Sequence, residues 1–70
     1  MPVTFLPTEP GVAYEYAVIL NGRRIGRVHK QYSATWPYAP TRKWVAVGPF
    51  IKDDFASRAA AAAWVASWVN

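Results

Sequence analysis

Any acid–base or nucleophilic chemistry in this 70-residue chain must be built from the carboxylates Glu9, Glu15, Asp53 and Asp54, the single imidazole of His29, and the serines Ser33, Ser57 and Ser67. Their spacing does not assemble a site. Glu9 stands in a proline-rich lead-in, and Asp53 and Asp54 precede a helix start, where negative charge suits the helix N-terminus. The serines have only His29 as a conceivable base, and no motif brings them together. With no cysteine and one histidine, neither a disulfide nor a zinc site can be built. Gly11, Gly22, Gly26 and Gly48 are scattered at turn or bulge positions and form no phosphate loop. The chain reads as non-enzymatic, with no cofactor and no metal.

The basic residues say more. Between Tyr16 and Lys52 there is no acid, whereas Arg23, Arg24, Arg27, Lys30, Arg42, Lys43 and Lys52 all fall in or at the end of that stretch. A basic hairpin on a small sheet can meet phosphates, and arginines on strands can reach guanine edges in a major groove. The plainer alternative is that these cations solubilise a very apolar small domain, since the net charge is only +4. Tyr32, Trp36 and Tyr38 lie beside the basic stretch and admit three readings. They can stack bases, fold back to cover a core, or form a protein-binding patch, because Trp, Tyr and Arg are enriched at interface hot spots.

The elements that position these groups follow from pattern. Residues 1–12 contain three prolines and read as an extended lead-in, with Val3, Phe5 and Leu6 apolar enough to dock as an edge segment. Residues 13–20 alternate as a strand, and Asn21-Gly22 is a strong signal for a two-residue hairpin turn into a second strand over about 23–31. A regular register places Arg23, Arg27 and His29 on one face and Arg24, Val28 and Lys30 on the other. A bulge at Gly26 would instead put Ile25 and Val28 on one side and gather the arginines opposite. After a long connection containing Pro37 and Pro40, a third strand spans about 43–50, with residues 51–54 as a loop or short continuation. Ser57 is the expected N-cap of a helix over about 57–69, with a competing start at Asp54. Ala61, Trp64, Val65 and Trp68 form its apolar stripe, and both tryptophans are most simply core. The predicted fold is α+β: a lead-in over 1–12, then one β-β-β-α domain over 13–70, a three-stranded antiparallel sheet packed on one C-terminal helix.

The layout of Asn21-Gly22, Ile25-Gly26-Arg27-Val28, Trp44-Val45-Ala46 and Phe55-Ala56-Ser57-Arg58, followed by alanines and Trp64-Val65, resembles small sheet-plus-helix domains of phages and actinobacteria. It is also similar to the arm-type DNA-binding domain of tyrosine-recombinase integrases, whose sheet enters the major groove. The resemblance spans about residues 14–69, and the long proline-rich connection departs from it. Carried over, it makes Arg23, Arg24, Arg27 and Lys30 the DNA-facing set, with Arg42 and Lys43 beside them.

These readings converge on a small phage or mobile-element accessory protein that binds nucleic acid, DNA or RNA, through its basic hairpin. The alternative is an interaction module, such as a phage factor docking on a host protein through Tyr32, Trp36 and Tyr38. No 18-residue apolar run exists to cross a membrane, and the N-terminus lacks a signal-peptide pattern. The expected location is therefore the cytoplasm, the host's if the chain is phage-encoded. An open sheet with no staples and 53% hydrophobic residues also suggests a homodimer, formed by edge strands or by Trp36 or Trp68.

Overall fold

The computed structural model describes residues 3–11 and 13–69; Met1, Pro2 and Val12 of the expected lead-in and the terminal Asn70 lie outside the described residues. The sheet has five strands where the sequence pattern predicts three. They are β1 (Thr4–Pro7), β2 (Glu15–Leu20), β3 (Arg23–Tyr32), β4 (Pro40–Val47) and β5 (Ile51–Phe55), followed by helix α1 (Arg58–Ala66). All pairings are antiparallel and the spatial order equals the sequence order. The lead-in supplies β1, paired through Phe5 opposite Val18, and the expected loop after Gly48 supplies β5.

The β2–β3 connection behaves as its residues require. Asn21 and Gly22 both take positive φ, 53° and 77°, the geometry of a turn whose twist matches the strands it joins. Beyond it the register shifts: Ile19 faces Arg24, yet Val18 faces Gly26. Ile25 is thus the extra residue of a bulge. The consequence is parity. Val18, Gly26, Val28 and Ala46 share the face that α1 covers, whereas Ala17, Ile19, Arg24 and Arg27 share the opposite face.

Helix α1 begins where Ser57, extended at φ −151° and ψ 161°, accepts a hydrogen bond from the Ala60 N–H at 3.0 Å. Asp53 and Asp54 belong to β5 and not to a longer helix. The alanine run gives helix propensity and a thin face. Ala61, Ala62 and Val65 are fully buried against Val18, Val28 and Ala46. Glycine at position 26 makes this approach possible, because a Cβ there would lie 2.7 Å from Val65 Cγ1 and 2.5 Å from the Val47 carbonyl oxygen. Among the described residues, no buried side chain is larger than valine. The larger rings form a half-buried collar: Phe5, Tyr16 and Trp44 on one side, Phe55 and Trp64 on another. The helix ends at Ala66 with Ser67 as its C-cap, short of the expected 69, so Trp68 lies beyond it. About half exposed, Trp68 closes edge-on over Phe50 at 5.0 Å, and only Trp64 of the two packs against the core.

Replacing Gly26 by Ala should lower stability by about 1–3 kcal/mol, the usual cost of overpacking. At roughly 4–8 °C per kcal/mol for a domain of this size, thermal denaturation followed by circular dichroism will read the loss directly. An unchanged melting temperature would show that the helix does not rest on this glycine.

Candidate nucleic-acid interface

The eight basic side chains divide into three groups by what they touch. Arg58, the first residue of α1, lays its guanidinium 4.1 Å from the Phe5 ring centroid and 4.8 Å from that of Tyr16. Lys30 sits 4.9 Å over Tyr14 and 5.9 Å over Trp44, and Lys52 lies 5.7 Å over Phe55. These cations are held by aromatic faces. Lys43 pairs with Asp54 at 3.3 Å, but both side chains are more than half exposed, so the bond is screened and contributes little. Arg23, Arg24, Arg27 and Arg42 are exposed and have neither a carboxylate nor a ring partner among the described residues.

The sheet register sets where these groups lie. On the face away from α1, Leu6, Ala17, Arg27, Val47 and Ile51 form one row across all five strands, each opposite the next. Thr4, Ile19 and Arg24 form the row nearer the hairpin turn, and Glu15, His29 and Val45 the row on the other side. Lys43 joins this face by alternation from Trp44. Glu15 accepts a hydrogen bond from the Thr8 hydroxyl, and His29 Nδ1–H donates to the Lys30 carbonyl at 3.0 Å. Arg23 faces Leu20 at the base of the turn and projects to the other side. Of the expected DNA-facing set, the register therefore places Arg24, Arg27 and Lys43 on one sheet face, with Lys43 at its far end. It leaves Arg23 at the hairpin tip and Arg42 in the irregular start of β4, and turns Lys30 toward Trp44. Arg58 and Lys52, which the sequence reading left out of the DNA-facing set, brace the aromatic collar; only contact with the rings reveals this.

The aromatics of the β3–β4 connection do not fold back over the core. Trp36 is 82% exposed, Tyr38 65% and Tyr32 48%. Ser33 braces this loop. Its N–H donates to the Ala39 carbonyl at 2.9 Å, its hydroxyl oxygen accepts from the Ala39 N–H at 3.1 Å, and its hydroxyl lies 3.1 Å from the Thr35 and Pro37 carbonyls. The Trp36-Pro37 peptide is cis. Both rings are thus displayed on a loop tied at its neck. Among the described residues no helix is long and apolar enough to cross a membrane.

Compared with protein-family models, curated proteins and solved structures, the chain matches none. What this face does has to be argued from its own residues.

The division among the cations is measurable by urea unfolding. Arg58→Ala should cost about 1 kcal/mol, in the range for a cation over partly buried rings. Arg24→Ala and Arg27→Ala should each stay within about 0.5 kcal/mol of the parent, as exposed side chains without partners do. Equal losses at all three positions would refute the division.

Proposed function

We propose that the protein is a small nucleic-acid-binding accessory factor, of the phage or mobile-element kind that its resemblance to integrase arm domains implies. It grips its target through the β2–β3 hairpin and the sheet face left open by α1. One observation carries this reading: among the described residues Arg23, Arg24, Arg27 and Arg42 are exposed and have no carboxylate or ring partner, while every other basic side chain has an aromatic or acidic neighbour. Cations needed only for solubility have no reason to be sorted in this way. Guanidiniums free of internal partners are available to phosphate oxygens, which they meet through paired N–H donors. Phosphate contacts set affinity and orientation without naming a sequence.

A second reading has its own observation. The Ser33-braced loop presents Trp36 and Tyr38 outward, a form suited to anchoring in a pocket on a protein partner, or to stacking on unpaired bases at one end of the basic face. In the first case affinity survives moderate salt and vanishes in Trp36→Ala. In a pull-down from nuclease-treated lysate, one stoichiometric protein captured by the parent and lost by that variant would favour the interaction module.

Fluorescence anisotropy with labelled duplex and single-stranded oligonucleotides between 25 and 200 mM salt separates the readings (concentrations of about these values span the useful screening range). Log affinity should fall linearly with log salt. The triple variant Arg23→Ala, Arg24→Ala, Arg27→Ala should flatten that slope by about 3, roughly one per phosphate contact removed. A slope near zero for the parent would overturn the nucleic-acid reading.

A further inference from the structure

Residues three apart on a regular strand point to opposite faces, and Arg24 and Arg27 are three apart. The bulge changes this. Arg24 faces Ile19 and Arg27 faces Ala17, two residues apart on β2, so both arginines emerge on the open face while Ile25 turns toward the helix-side cluster. A second feature meets them there. Strand β4 stops at Val47, opposite Arg27, whereas β3 continues to Arg23. The step leaves an open depression of about 280 Å³ lined by Arg24, Ile25, Gly26, Arg27, Val47 and Gly48. Among the described residues no carboxylate lines it, and Gly26 and Gly48 contribute backbone alone. The depression is open to solvent and has room for a phosphate group.

We infer that this depression is a phosphate notch, in which one backbone phosphodiester of a bound nucleic acid seats between the Arg24 and Arg27 guanidiniums. The inference rests on the nucleic-acid reading above and deepens it: the bulge at Ile25 is the device that turns two arginines of opposite parity into one clamp. Bulges commonly re-aim side chains next to functional sites, and a planar guanidinium fork matches phosphate oxygens in a way a lysine ammonium does not.

The test exploits that last difference. Arg24→Lys and Arg27→Lys keep the charge and lose the fork. Each should weaken oligonucleotide binding about tenfold while leaving the salt slope unchanged, whereas Lys52→Arg, at a cation on the helix side of the sheet, should change affinity less than about twofold. If the parent binds with a steep salt slope but Arg24→Lys and Arg27→Lys behave like Lys52→Arg, the notch is refuted and the broader reading stands. A parallel arm titrates inorganic phosphate into the ¹⁵N-labelled chain at constant ionic strength against chloride. Saturable shifts at the Gly26 and Gly48 amides and the Arg24 and Arg27 Nε–H groups, lost in Arg24→Lys, are expected. If oligonucleotides do not bind yet these shifts appear, the nucleic-acid source is overturned and a free phosphate ester takes its place. Absence of both overturns the site.

Discussion

The close seat of Val65 on Gly26 is the contact on which the rest of the structure depends. It is possible only because the helix offers alanine and valine, and the sheet offers glycine, at the point of nearest approach. The same glycine is the second residue of the bulge, and the bulge decides which side chains of β3 face the helix and which face solvent. Packing on one side of the sheet and the display of arginines on the other are therefore not independent. A change that lifts the helix from Gly26 alters the register pressure that holds Arg24 and Arg27 on a common face.

A core limited to valine, alanine and glycine cannot enclose eleven aromatic rings, and the molecule does not try to. Small domains bury a modest share of their surface, so here the large rings lie flat around the rim, half covered, and gain further contact by stacking under cations. Arg58 ties β1 to the start of the helix through Phe5 and Tyr16, and thus joins the first strand to the last element without a disulfide. Trp36 and Tyr38 stand apart from this arrangement. Both are exposed, and the loop beneath them is tied by Ser33 and by the Thr41 hydroxyl, which donates to the Gln31 carbonyl at 2.6 Å.

Features decided within a few residues were legible in the sequence: the Asn21-Gly22 turn, the Ser57 cap, the alanine helix and the site of the bulge. The two edge strands were legible only in part: Val3, Phe5 and Leu6 read as a docking edge segment and residues 51–54 as a loop or short continuation, neither as a paired strand. Thr4–Pro7 contains a proline and becomes a strand only because β2 offers it a partner. Ile51–Phe55 carries Lys52, Asp53 and Asp54, residues poor in strand propensity, and Asp54 takes φ 66°, which no local pattern announces. The acids read as a helix-start signal because that rule is local, whereas their real setting depends on β4. Lys30 was grouped with the arginines for the same reason. Its charge is visible in the sequence, but the parity that turns it toward Trp44 is created by a bulge five residues away. The candidate site was legible as a charge distribution and illegible as a division between stacked and free cations.

Strand order that repeats sequence order has a consequence for how the chain reaches this structure. Each strand pairs only with the one made just before and just after it, so the sheet can grow by successive hairpins, each closing a short connection and none threading past another. Pairing between sequence neighbours keeps the contacts more local than crossover connections would, which favours faster folding than a sheet with crossovers. The tight turn at Asn21-Gly22 is the cheapest closure in entropy and the natural place for growth to begin, with β1 and β4 joining on either side. The helix, last in sequence and resting on β2, β3 and β4 together, docks on a surface that exists only once those three strands are in register. A ribosome releasing this chain from its N-terminus would thus deliver the platform first and the element that seals it last.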